Sequence, residues 1–311
     1  MVILLTGDNT FAIHDVVDGQ VKKAHTTLGA DAVSIVDAAE LSVADLPQLL
    51  LGASLFATER LVVIRDAAAN KQVWEKLEEL LPSVDEQTIV ILVAPSADKR
   101  TRTYKWLQKN AEVRETKELS ENDLTKWLQA GIKQDGADIK PDVARFLINY
   151  VGPDQWRLKQ EAEKLALAGK PINQDLIREL IEPNPSASVF ELLDAVFAGR
   201  TDDANKLLEL IQGSEDPYRF FGLLANQIHA LLLVAAASSR TPEAVAKDAG
   251  VHPFVIRKLQ SVARRLDTYQ RQQVIEIMAN LDRQMKSTGA DPWTLIQVGL
   301  SVLATLPGSQ R

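Results

Sequence analysis

The chain has no cysteine, so disulfides, thiolate metal sites and cysteine nucleophiles are excluded. Its four histidines, His14, His25, His229 and His252, include no pair at a metal-ligand spacing such as H-E-x-x-H. No G-x-S-x-G elbow for a nucleophilic serine occurs. Long hydrophobic runs are missing too. The longest, Ile228–Ala237 and Ile89–Ala94, fall well short of the roughly 18 apolar residues that cross a bilayer, so no membrane is expected as a partner. The opening MVILLTGDNT has no basic stretch before its apolar residues, and Asp8 closes it early. Val2–Thr6 therefore reads as a buried strand rather than a signal peptide, with a cytoplasmic location as the expectation. A basic surplus is also lacking: net charge is −7. Residues 1–118 carry 13 basic and 18 acidic side chains, residues 119–184 carry 9 and 11, and residues 185–311 carry 13 and 13. Tight DNA binding by one chain usually needs a basic face, because released counterions drive it. Any DNA contact here is expected to be shared with partners.

What is present divides into a mixed first part and a helical remainder. Continuous apolar runs at Val2–Thr6, Ala32–Val36, Arg60–Arg65 and Thr88–Ala94, with a shorter one near Val113, predict strands covered on both faces. Helical patterns at Phe11–Leu28, Val43–Leu51, Val73–Leu81 and Arg100–Asn110 lie between them, which predicts a parallel α/β sheet in a domain of residues 1–118. After that the strand signals stop. Ser120 opens a helix start with acidic residues in its first turn, and a small helical domain is expected over 119–184. Pro183-Asn184-Pro185-Ser186 is the clearest linker, since two prolines disfavour a continuous helix. Residues 185–311 read as helices throughout, an all-α third domain.

An α/β domain of this kind invites a search for a phosphate loop. The turn after the first strand would read G-x-x-x-x-G-K-[ST]. It reads Gly7-Asp8-Asn9-Thr10-Phe11-Ala12-Ile13-His14, without the second glycine or the lysine, and Asp8 would repel phosphate. Gly169-Lys170 is followed by Pro171 and does not supply the motif. Thr88–Ala94 is followed by Pro95-Ser96 rather than by an acidic pair for magnesium. Neither nucleotide hydrolysis nor any cofactor is expected. His229, among apolar residues, reads as a core or interface histidine, and His252 as part of a turn before Pro253. Glu161 and Glu163 fall on different sides of a helix and read as solvated or structural.

The most informative stretch is Leu50-Leu51-Gly52-Ala53-Ser54-Leu55-Phe56-Ala57-Thr58-Glu59-Arg60. A helix ends near Gly52 and a buried strand starts near Arg60, with Leu55 and Phe56 in the connection. Adjacent residues of regular structure do not both face one core. Two readings follow: both side chains cap the local core, or the pair protrudes as an apolar plug for a partner pocket. A plug that buries both would gain about 1.5–3 kcal/mol for each.

Several segments together resemble the delta-subunit family of bacterial clamp loaders. They are Leu4-Leu5-Thr6-Gly7-Asp8-Asn9, then Ser54-Leu55-Phe56 ahead of the Arg60–Ile64 strand, and Lys99-Arg100 with Lys105. Glu118-Leu119-Ser120 follows, leading to Leu124 and Trp127, then Leu158–Leu165 with the pattern L-x-x-E-x-x-K-L. Val189–Ala195 and Asp282–Gly289 complete the set. Each is weak alone; their order and spacing are specific. The resemblance implies an N-terminal P-loop-NTPase-like (AAA+-like) α/β domain with a degenerate nucleotide site, a small helical lid, and a helical collar that joins a hetero-oligomeric ring of clamp-loader subunits. It implies that Leu55 and Phe56, with Ser54, form the tip that enters a pocket of the beta sliding clamp and opens it for loading onto primed DNA. It implies no catalysis by the chain itself, only membership of a DNA polymerase III complex classed as a DNA-directed nucleotidyltransferase. It also brings the loop Lys286–Asp291 toward template DNA, where Lys286 would meet a phosphate or else remain a solvated helix-end lysine. Two alternatives stand beside it. One is another ring subunit, such as the inactive delta-prime type, though its S-R-C motif needs a cysteine. The other is an unrelated helical adaptor or scaffold.

Overall fold

The computed structural model describes residues 1–52, 59–213 and 215–306, with only the backbone of 185–187. The chain divides into two compact units, Met1–Leu119 and Ser120–Arg311.

In the first unit, strands β1 (Val2–Gly7), β2 (Val33–Asp37), β3 (Arg60–Arg65), β4 (Thr88–Val93) and β5 (Glu112–Thr116) form one parallel sheet in the order β2-β3-β4-β1-β5. Helices α1 (Thr10–Leu28), α2 (Leu46–Leu51), α3 (Lys71–Leu80) and α4 (Arg102–Asn110) connect them. Alternation along each strand sorts the apolar runs into two cores. Leu4, Val62, Ile64, Val90 and Leu92 meet Leu46 and Leu50 of α2, Trp74 and Leu77 of α3, and Tyr104 and Leu107 of α4. Ile3, Leu5, Leu61, Val63 and Ile91 meet Ile13, Val17 and Ala24 of α1. Burial on both faces is why β1, β3 and β4 carry unbroken apolar runs. The edge strands differ. β5 reads Glu-Val-Arg-Glu-Thr, and its charges guard an open edge against pairing with other chains.

The second unit is helical among its described residues: α5 (Glu121–Gln134), α6 (Pro141–Val151), α7 (Gln155–Leu167), α8 (Gln174–Leu180), α9 (Pro185–Phe197), α10 (Thr201–Gln212), α11 (Pro217–Ala236), α12 (Pro242–Ala249), α13 (Pro253–Ala263), α14 (Thr268–Ser287) and α15 (Pro292–Ala304). Polar side chains cap several of these starts. Ser120 accepts from Asp123 N, Asp216 from Tyr218 N, and Asp267 forms a reciprocal capping box with Gln270. Buried residues from Val189 to Leu306 share one core.

Three details depart from the sequence reading or sharpen it. Pro183–Ser186 is anchored rather than loose: Asn184 donates from its backbone to Tyr150 O at 2.8 Å and from its side chain to Val151 O at 3.1 Å, and Pro185 opens α9. Proline suits that first position, where its missing N–H has no partner to lose. His229 is exposed, not a core residue, because its helix α11 buries the opposite stripe of Phe220, Leu224, Ile228 and Leu231. His252 caps α13, with its Nδ1 accepting from Phe254 N. Helix α11 is long and apolar enough to cross a membrane by length and composition alone. Here its stripe lies in the shared helical core instead.

Candidate functional site

In an open parallel sheet, ligands enter beyond the carboxyl ends of the strands, where connections diverge. That place lies after β1, between β4 and β5, at the Gly7-Asp8-Asn9 turn into α1. A phosphate would need the turn's backbone amides free and pointing outward. Five of them are engaged within the protein. Gly7 N donates to Pro95 O at 3.2 Å, Asn9 N to Thr116 O at 3.5 Å, Thr10 N to Asp8 O at 3.1 Å, and Ile13 N to Asn9 O at 3.2 Å. Ala12 N donates to the Asn9 side chain at 2.8 Å. The Asn9 amide group in turn donates to Lys117 O at 3.3 Å, and Thr116 Oγ1 donates to Thr6 O and Asn9 O. Asn9 is buried, so its side chain fills space inside the turn. Gly7 has φ +116, and a Cβ there would run into the Thr116 carbonyl. This close approach of β5, together with the positive φ, requires glycine.

Charged groups around the turn are matched. Lys99 donates to Glu115 at 2.9 Å; the bond raises the lysine's pKa and lowers that of the glutamate. Arg100 grips Asp98 with two nitrogens and holds its carboxyl at about 2. The Lys99-Arg100 pair therefore serves local carboxylates. Sequence reading noticed Asp8 but missed Asn9 and Thr116. An asparagine just before a helix was the available signal for the first; nothing local marked the second.

The connection that carries Ser54, Leu55 and Phe56 lies outside the described residues. Its two roots are described. On one side, α2 buries Leu46 and Leu50, exposes Leu51, and ends with Gly52 N donating to Gln48 O at 3.1 Å. On the other, Arg60 N donates to Gln87 O at 3.0 Å, which fixes the start of β3. The Arg60 guanidinium reaches back across the connection and donates to Leu49 O at 2.8 Å and to Gly52 O. Those carbonyls belong to the unsatisfied end of α2, where a cation is favourable.

Lys286 is exposed near the end of α14 and bonds Asp282 one turn back at 2.8 Å. Trp293 packs at 5.3 Å from the Phe220 ring and so belongs to the helical core. Among the described residues no group of three or more His, Asp or Glu side chains is placed to hold a metal.

Comparison with known proteins adds four findings. Residues 4–117 match the family model "DNA polymerase III, delta subunit". Residues 186–302 match the model "DNA polymerase III delta subunit, C-terminal domain". DNA polymerase III subunit delta of Bacillus subtilis is 25% identical over 232 residues, covering 72% of this chain and 67% of that protein. The structure of the Bacillus subtilis DNA clamp loader delta protein superposes with a TM-score of 0.73 at 22% identity, covering 97% of this chain and 95% of that one. At that identity the superposition establishes the fold.

Proposed function

Since the chain belongs to the DNA polymerase III delta-subunit family, we propose that it serves a clamp loader by binding the beta sliding clamp through Leu55 and Phe56 and favouring its open form. The observation that carries this is the match of two delta-family models to both ends of one chain.

Clamp opening is then a matter of differential binding. A tip that fits the open clamp better than the closed one shifts the population toward open, and only the difference in affinity does that. The chain itself needs no catalytic residue. The occupied amides of the Gly7–Ile13 turn support the absence of a nucleotide there. In this reading residues 1–118 are the AAA+-like clamp-facing domain, 119–184 the lid and 185–311 the collar that joins the other clamp-loader subunits. The complex works on primed DNA in the cytoplasm, with Lys286 facing a phosphate. Both model matches favour this over an inactive delta-prime-type subunit or an unrelated adaptor.

The test is a pull-down with purified sliding clamp. Leu55→Ala combined with Phe56→Ala abolishes retention while far-UV circular dichroism stays unchanged. Full retention by the double variant rejects the tip. Calorimetry with ATP shows no heat of binding; micromolar affinity rejects the closed-loop reading.

A further inference from the structure

Charge in residues 185–311 balances at 13 basic and 13 acidic side chains, but it is unevenly spread. Residues 240–271 carry seven basic side chains against three acidic ones. That surplus falls on and around α12 and α13. The two helices are joined by three residues, 250–252, and both pack on α11. Gly250 makes the turn at φ +64 and ψ 31, in the left-handed region that favours glycine. Val245 and Ala246 of α12 and Ile256 and Leu259 of α13 join the helical core. Two packed helices joined by a short glycine turn form a helix-turn-helix, a motif that can present its second helix to a duplex groove. On the outer side of α13, Arg257, Ser261 and Arg264 are exposed at the i, i+4, i+7 spacing of one helix face, and Arg265 is exposed next to Arg264. Arg257 shares its charge with Glu243 of α12 at 2.9 Å. Arg264 and Arg265 have no ion pair among the described residues. A cation at a helix end favours the helix dipole. That accounts for Arg264 and Arg265, but not for Arg257 on the same face near mid-helix.

We propose that this face of α13 is a sequence-independent site for the phosphates of duplex DNA. Arg257 and Arg264 are seven residues apart, about 10 Å along the helix. A major groove is about 12 Å wide, so two extended arginines reach phosphates on its two sides. The first turn of α13 reads Pro253-Phe254-Val255, and Phe254 is buried. A base-reading helix places polar groups there, so α13 does not discriminate among bases. Each phosphate neutralised releases counterions, and three arginines together give a salt slope of about −3. The site shares with the reading above only its DNA partner and does not depend on Leu55, Phe56 or Lys286.

The experiment uses the full chain alone and short fluorescent duplexes of two unrelated sequences, read by anisotropy over a salt series. The proteins are wild type, the triple variant Arg257→Gln/Arg264→Gln/Arg265→Gln, the same three positions changed to lysine, and Lys286→Ala. Amide hydrogen exchange of the wild type with and without duplex locates the contact without any substitution. Wild type binds both sequences equally, and the duplex protects amides of residues 254–266. The glutamine variant binds at least about ten-fold more weakly at low salt, with a slope reduced by about three. The lysine variant stays close to wild type because a phosphate accepts either cation, and Lys286→Ala retains binding. Several results overturn the site: no binding by wild type, an unchanged slope in the glutamine variant, or a lysine variant as weak as the glutamine one. Protection that spares α13 overturns it whether or not the variants fold. Polyglutamate bound as tightly as the duplex also overturns it, leaving a general anion patch. Loss of binding in Lys286→Ala alone moves the contact to that lysine and rejects α13. Failure of the clamp tip in the pull-down leaves each of these outcomes as it stands.

Discussion

Replacing Asn9 with alanine probes the closure of the Gly7–Ile13 turn directly. The expected cost is worked from two bonds of the Asn9 side chain. Its oxygen caps α1 by accepting from Ala12 N at 2.8 Å, and its amide donates to Lys117 O at 3.3 Å. Loss of an N-cap costs about 1 kcal/mol, and loss of a second neutral hydrogen bond about another 1 kcal/mol. Lys117 is an exposed residue and its bond to Asn9 is only partly buried, so no large desolvation penalty is added. The expected destabilisation is about 2 kcal/mol. For a unit of this size that lowers the melting temperature by about 8 °C. Urea unfolding of the full chain measures the free energy, and amide exchange locates the loss in β1, β5 and the start of α1. Asn9→Ser retains a cap acceptor but cannot reach Lys117, so it loses about half as much. An alanine variant within about 0.5 kcal/mol of wild type would show that the turn is not held by these bonds. The case that its amides are unavailable to phosphate would then fail.

Other substitutions read the remaining contacts. Gly7→Ala combines a disfavoured φ with a clash against the β5 backbone and costs about 3 kcal/mol or more by urea unfolding; a cost below about 1 kcal/mol contradicts the close approach of β5. Leu51→Ser costs about 1 kcal/mol or less of stability, because Leu51 is already 41% exposed, but it weakens clamp binding several-fold; equal affinity removes Leu51 from the docking surface. The Arg100 guanidinium holds Asp98 at about 2, so an NMR titration is expected to find it there and to find it returned toward the ordinary carboxylate range in Arg100→Gln. Its folded pKa is depressed, so any stabilisation from the pair is present at neutral pH and fades as pH falls toward 2. The pair is exposed and solvent-screened. Lys286→Ala leaves the fold intact and reduces the salt slope of DNA binding by the assembled complex by about one; an unchanged slope removes Lys286 from the DNA contacts.

Much of the architecture was legible because its determinants are local. Apolar runs of four to six residues marked β1, β3 and β4, and Ser120 with the acidic residues after it marked the start of α5. Proline at a helix start was equally readable, although Pro185 shows that a Pro-rich stretch can begin a helix rather than separate two. His229 kept two readings, core or interface, because a long helix of mostly apolar residues does not declare which stripe is buried; the structure removes the first. The tip at Leu55 and Phe56 was readable only through likeness to a family, since two adjacent apolar residues suit a core as well as a partner.

The sequence by itself determined that this chain has no cysteine chemistry, no phosphate-loop lysine and no basic surplus. It also determined that an α/β part precedes helices, because composition and periodicity follow from neighbours along the chain. Tertiary structure decided the strand order β2-β3-β4-β1-β5, which places β5 against the β1 turn. It decided that Thr116, more than a hundred residues away, closes that turn, and that Arg60 reaches back to the end of α2. These bonds join groups that no local pattern brings together. They form only once buried faces have packed and left particular carbonyls and amides opposite one another.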